Sequence, residues 1–392
     1  MEYTKVLKKL FSVKNSANKK HKIITFLGIK FKVPFRYKDK KVRKLFSKIR
    51  KNSVLIVEAN WCHFEVVPGY VKYFRELGYN VDLIIHQKSV CDLFQEIFPD
   101  VQIYNFDLDR MREVFASTRI KKYEYLFFTS AVKYVEGIHA NSPDSPLVSD
   151  FFPKIAMDKN RRIYVQHHME RNCENKNQIA LADLHNPCSE KFYIVNPHYF
   201  GNVAITPKSD DVTRFIVVGA MFAWRKNYDL LIEAVRTLSK KTDRFKVILV
   251  GGGNPPEIDE DIAGFFDIRG RLSYPDMFRA MEEADFFLCL LDPDNADHER
   301  YIQTGTSGSF QLIYGFAKPC LLHKYFADVY EFNNENALVY EKNNELASFM
   351  AKAVNMSAAE YRLLQQGVEE KAAAVRKMSL TNLQNLLQQS RK

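Results

Sequence analysis

Several groups of residues have types and spacing suited to chemistry on a phosphorylated substrate. Arg225-Lys226 sets two cations side by side just before Asn227, a residue type that caps helices. Thr304-Gly305-Thr306-Ser307-Gly308-Ser309 offers hydroxyls and open backbone N–H groups ahead of another helical stretch. A helix N-terminus carries about half a positive charge and unpaired donors, so both segments can take phosphate without a metal. Gly219, Gly251 and Gly252 stand at the ends of apolar runs, where binding loops begin. His63 and Glu65 in an early polar loop, and His167-His168 after a later apolar run, are types that move protons at a hydroxyl group. Asp292, Asp294 and Asp297 lack the distal glutamate of a calcium loop, so no metal is expected. Gly251-Gly252-Gly253 lacks the spacing of a dinucleotide fingerprint.

The elements that must position these groups repeat one pattern. Val54–Val57 is a continuous apolar run, as in a parallel strand buried on both faces. A polar loop, a helix ending at Gly78 and the strand Val81–Ile85 follow, which makes a βαβ unit. Apolar runs at Tyr125–Phe128, Ile163–Val165 and Phe192–Val195 extend that sheet. The pattern restarts at Arg214, with Phe215–Val218, Phe245–Val250, Phe265–Ile268, Phe286–Leu291 and Pro319–Leu322 as strands. The fold class is therefore α/β, with two Rossmann-like doubly wound parallel-sheet domains facing a central cleft. The expected divisions are a basic arm over 1–52, a first Rossmann-like domain over 53–210, a second over 211–355 and C-terminal helices over 356–392. Ligands bind beyond the carboxyl ends of such strands. In the second half the loops 219–227, 251–256, 270–275 and 292–309 converge there.

Of the net charge of +10, residues 1–52 hold 18 Lys/Arg against Glu2 and Asp39, a local +16 that leaves −6 for the rest. Ile29 to Arg36 alternates as a strand, and Lys40 to Lys51 places Val42, Leu45, Phe46 and Ile49 on one face of a basic helix. Such an arm either packs on the body or lies on an anionic membrane. Nucleic acid is not an expected partner, because the body is not basic and no finger or RNP-like motif follows. No apolar run is long enough to span a bilayer, and the basic N-terminus lacks a continuous apolar core of a secretory signal. Six scattered cysteines without C-x-x-C spacing fit a reducing compartment. The expected location is cytoplasmic, peripheral on the inner face of the membrane.

The run Val217-Val218-Gly219…Arg225-Lys226-Asn227-Tyr228-Asp229-Leu230-Leu231-Ile232-Glu233-Ala234 resembles the donor-domain opening of family 4 (group 1) GT-B glycosyltransferases. Ile248–Gly253, Arg269-Gly270-Arg271-Leu272-Ser273 and Ala284–Leu288 share the resemblance, which covers about 214–345. It implies transfer of a sugar from a nucleotide sugar, expected to be a UDP-sugar, to a glycan or lipid-linked acceptor in surface polysaccharide synthesis. No further cofactor is implied. Arg225 and Lys226 would hold the donor diphosphate, with Gly219, Gly251, Gly252, Arg269, Ser273, Tyr274, Thr306, Ser307, Gly308 and Ser309 around the donor. By the same resemblance 53–210 would be the acceptor domain and 211–355 the donor domain, with His63 in the catalytic set and Glu65 and His168 on the acceptor side. The family pattern has two glutamates eight positions apart. Glu299 stands for the first, but Ser307 lies eight positions on and the Pro319 register places Leu312, beside Gln311, where the second belongs. The contact is then remade by the 304–309 loop. A sugar-nucleotide epimerase of the same fold and a non-catalytic nucleotide-binding scaffold are the alternatives.

Overall fold

In the computed structural model the described residues are 11–15, 21–26, 29–34, 39–135, 145–169, 177–186, 192–209 and 211–390. The chain separates into two units, Met1–Lys48 and Ile49–Lys392. In the first, β1 (Phe11–Asn15), β2 (His21–Phe26) and β3 (Ile29–Pro34) form an antiparallel sheet in chain order. The sequence predicts only the third of these strands. Phe26 and Ile29 face each other across the β2–β3 register and are 51% and 62% exposed. The basic helix is shorter than its periodicity predicts, Lys40–Ser47, and starts where the Asp39 carboxylate accepts from the Lys41 and Val42 amides.

The second unit holds two parallel sheets. Val54–Val57 sits inside β4 (Ser53–Glu58), which is buried along its whole length because helices cover both faces. Around it lie β5 (Asn80–Ile85), β6 (Gln102–Asn105), β7 (Tyr125–Phe128), β8 (Arg162–Gln166), β9 (Gln178–Ala180) and β10 (Tyr193–Ile194). Among the described residues their order is β10-β9-β8-β7-β4-β5-β6, with every pair parallel. In the second lobe, β11 (Thr213–Val218), β12 (Phe245–Val250), β13 (Phe266–Gly270), β14 (Phe286–Leu288), β15 (Cys320–His323) and β16 (Ala337–Tyr340) pair in the order β13-β12-β11-β14-β15-β16, again all parallel. These are the two doubly wound sheets that the sequence predicts.

The tail is one helix, Ala358–Gln389, opened by a capping box between Ser357 and Glu360. It serves both lobes in turn. Tyr361 and Leu364 join a second-lobe core, while Leu383, Leu386 and Leu387 complete the first-lobe core. Arg376 pairs with Glu76, and the Tyr125 hydroxyl donates to the Leu387 carbonyl at 2.8 Å. The polar stretch that joins the two lobes is tied down at several points. The Thr206 hydroxyl oxygen accepts a hydrogen bond from Lys318 Nζ at 2.9 Å, and Gln365 donates to the Thr206 carbonyl at 3.0 Å. Among the described residues no helix is long and apolar enough to cross a membrane.

Candidate active site

Between the carboxyl ends of the two sheets lies a cavity of about 300 Å³. On the second-lobe side, β11 runs out at Gly219, whose φ of 134° is open to glycine alone among ordinary residues. Gly251, ending β12, packs so closely that an added Cβ would sit 1.7 Å from the Gly219 carbonyl oxygen. Gly251 therefore serves the approach of two strand ends, and Gly251 and Gly252 are not on the cavity wall. Gly219 is on the wall, with the Lys226 side chain against it.

Asn227 caps the helix Tyr228–Ser239 through its side-chain oxygen, 2.9 Å from the Leu230 amide, and its own amide donates to Asp292. That cap fixes the two cations before it. Lys226 is 5% exposed and donates to the Cys289 carbonyl at 3.2 Å. Burial, with the neighbouring Arg225 charge acting the same way, lowers its pKa to about 8. The Arg225 guanidinium lies 4.3 Å over the Trp224 ring, and its Nε is buried with no hydrogen-bond partner. Thr306, Ser307, Gly308 and Ser309 line the wall where the helix Ser309–Phe316 begins, with Gly308 as its cap. One turn in, Gln311 is 1% exposed, faces the cavity, and leaves both amide atoms without a partner.

On the first-lobe side, His63 takes a left-handed conformation (φ 63°) ahead of the short turn Phe64–Val66. That is uncommon for a residue with a Cβ and is held by its contacts. Its Nε2 is 3.0 Å from the Tyr134 hydroxyl, its Nδ1 3.4 Å from Glu65 Oε1, and its ring stacks on His167 at 4.0 Å. Burial opposes a charge on His63, but Tyr134, Cys62 and Glu65 outweigh it and hold its pKa well above the ordinary imidazole value. His167 goes the other way. Burial and the His63 charge push its pKa well down, and its Nε2 lies 2.9 Å from the Thr129 carbonyl, so Nε2 carries the proton of a neutral ring. Burial raises the Glu65 pKa, yet its bonds to His63 and Tyr274 win and leave it below the usual range.

The lobes meet at this cavity. Tyr274, expected beside the donor, donates its hydroxyl across the cleft to Glu65 Oε2 at 3.2 Å. His168 bridges Gly305 through the backbone, and the Met169 amide donates to the Thr304 carbonyl at 2.7 Å. Glu170, in the same stretch, lies outside the described residues.

Besides Gly251 and Gly252, three expected site residues lie off the wall. Glu299 follows the turn Ala296–His298 and leads into the helix Arg300–Gln303, so its side chain leaves about 100° from that of its neighbour. Its oxygens accept from Gln303 at 2.7 Å and Tyr325 at 2.8 Å, while Arg300 is the residue that turns into the cavity. Arg269 is taken up by ion pairs with Asp267 and Glu283 at 2.8 and 2.7 Å. Ser273 is the cap of the helix Tyr274–Glu283. Conversely, Arg300, Tyr301, Tyr134 and Gln311 are on the wall without having been singled out as site residues from sequence. An arginine and a tyrosine directly after the acidic loop were the available signal for the first two.

A family model described as "Glycosyl transferases group 1" matches residues 212–357. The second lobe is a group 1 glycosyltransferase domain. The wider two-lobe fold is that of GT-B glycosyltransferases. A glycosyltransferase from Rickettsia africae ESF-5 superposes over 88% of this chain and 100% of its own, with a TM-score of 0.51 at 13% identity. A glycosyltransferase involved in avilamycin A biosynthesis covers 86% of this chain and 97% of its own at TM-score 0.49 and 11% identity. An Arabidopsis thaliana protein, UGT89C1, solved with UDP-L-rhamnose, covers 87% and 100% at TM-score 0.47 and 12% identity. The assignment of fold rests on the first of these. No curated protein sequence matches the chain. The enzyme class expected from the sequence, a glycosyltransferase, stands on the matched domain and the shared fold.

Proposed function

We propose that this glycosyltransferase moves a glycosyl group from a nucleoside diphosphate sugar, with UDP as the nucleotide, to a hydroxyl group of a glycan or lipid-linked acceptor during surface polysaccharide assembly. The observation that carries the reading is the pairing of Arg225 and Lys226 with the Ser307–Ser309 helix start on one cavity wall. Among the described residues neither cation has a carboxylate partner. Buried cations held without counter-charge favour an anionic ligand. In the reaction the bond from the anomeric carbon to the diphosphate breaks, and its electron pair stays on the phosphate oxygen. Preorganised cations at that oxygen stabilise the charge as it develops. The acceptor oxygen bonds to the same carbon, and in this reading its proton passes to Glu65 on the facing wall. His63, whose pKa is raised and whose Nδ1 lies 3.4 Å from Glu65, is the partner of that carboxylate in this reading rather than the base.

The basic arm would keep the enzyme at an anionic membrane on the cytoplasmic side. The exposed Phe26 and Ile29 at the end of the β2–β3 hairpin suit the membrane interface, and the lysines of the arm suit its charge. The test is a panel of UDP-, GDP- and TDP-sugars offered with membrane extracts and followed by mass spectrometry. Mass transfer to an acceptor, lost in Arg225→Ala, is the expected result. Epimerised or free sugar formed without acceptor would instead identify an epimerase. Nucleotide binding with neither reaction would leave a non-catalytic scaffold. Unchanged sedimentation with anionic vesicles after Lys/Arg→Ala changes across 40–51 and Phe26→Ser, Ile29→Ser would remove the membrane role.

A further inference from the structure

Arg300 was not expected at the site, yet it shares a support with Arg225. Its guanidinium lies 5.2 Å from the centroid of Trp224, the ring that also carries Arg225 at 4.3 Å. Arg300 Nη2 donates to the Tyr301 hydroxyl at 3.0 Å, and the same tyrosine interacts with Arg225. Both Nε atoms are buried without a partner, and all four residues except Trp224 line the cavity. Among the described residues no carboxylate pairs with either arginine, so two like charges are held together by an indole face and a phenol oxygen. An arginine kept only for packing has no need to stand beside another one, since like charges repel and the repulsion grows with burial.

Resting on the nucleotide-sugar reading above, we infer that Arg300 closes a two-guanidinium clamp with Arg225, built for the second, leaving phosphoryl group of a diphosphate and not for a monophosphate. The charge count supports this. A sugar diphosphate becomes a terminal phosphate when the sugar departs, and such a group ionises a second time near pH 6. The leaving diphosphate therefore carries about one more negative charge than the donor, and Arg300 adds a cation beyond Arg225 and Lys226 to meet it. Planar guanidinium forks match phosphate oxygens in pairs, which a lysine at the same place does not do. Trp224 and Tyr301 are then positioning residues that hold the forks at a fixed spacing.

The test is calorimetric titration of UDP and UMP into the full-length protein, its Arg300→Gln and Arg300→Lys variants, with melting temperatures measured alongside. Arg300→Gln is expected to weaken UDP by about ten- to a hundredfold, as loss of a charge-assisted bond does, while UMP changes by less than about threefold. Arg300→Lys should restore part of the UDP preference. In turnover assays the loss should fall on kcat more than on KM. Equal weakening of UDP and UMP, or no change in either, with wild type binding UDP, overturns the clamp and leaves the nucleotide site standing. Failure of wild type to bind UDP, GDP or TDP overturns the nucleotide reading and the clamp with it. Unaltered UMP affinity in the variants separates a lost contact from a lost fold.

Discussion

The two walls of the cavity handle charge in opposite ways. On the second-lobe wall Arg225, Lys226 and Arg300 face the cavity without a carboxylate partner among the described residues, and the Gln311 amide has no partner at all. On the first-lobe wall His63, Glu65, Tyr134 and His167 are already bonded to one another or to the backbone. An unmet wall gains when a ligand arrives, because burying polar groups without partners costs about 1–3 kcal/mol each. A satisfied wall gains little from binding, and its value is a fixed proton inventory at one place. The comparison teaches a division of labour: the second lobe holds the donor, and the first lobe manages the acceptor hydroxyl.

That division can be broken by mutation. Arg225→Ala should have the largest effect, a loss of about 10²- to 10³-fold in kcat/KM, as removal of one donor to a developing oxyanion does. A loss below about threefold would mean that the cations are not where the phosphates go. Glu65→Gln should lower kcat by about a hundredfold if it takes the acceptor proton, with UDP affinity unchanged. A matching loss of UDP affinity would merge the two walls into one donor site.

Smaller effects sharpen the picture. Lys226 is charged below its pKa of about 8 and neutral above it. UDP affinity should therefore be full between about pH 6, where the terminal phosphate ionises, and that pKa, and fall by up to about tenfold per pH unit above it. Lys226→Arg should flatten the profile, and titrations from pH 6 to 10 would show it. Gln311→Leu removes two unpartnered atoms but also whatever hydroxyl group they read. UDP binding should weaken by about tenfold, and an unchanged or tighter constant would make the amide structural. Glu299→Gln should have the least effect, within about twofold of wild type as for surface positions. A large loss there would restore the carboxylate role that the family pattern implies.

What was legible in the sequence follows from how local each signal is. Phe245–Val250 is legible to the residue, and Phe215–Val218 lies within Thr213–Val218, because a strand buried on both faces is an almost continuous apolar run. β1 and β2 are not legible, since Phe11–Asn15 has only two apolar residues and His21–Phe26 sets Ile23 beside Ile24, which breaks the alternation of a one-sided strand. Arg225-Lys226 could be read because one short motif holds the cations and their cap. Tyr134 could not, because its bond to His63 spans 71 positions and depends on how β4 and β7 pair. Glu299 and Arg300 were exchanged for a simpler reason. Helical phase decides which of two neighbours turns inward, and the turn Ala296–His298 shifts that phase in a way spacing alone does not reveal.

The most direct test of the division of labour is a crystal structure with UDP bound. Both phosphoryl groups should lie within hydrogen-bond distance of Arg225, Lys226 and the Ser309 backbone amide, with His63 and Glu65 keeping the contacts described above. Phosphates found instead against Arg269 or Glu299, or on the first-lobe wall, would contradict the account.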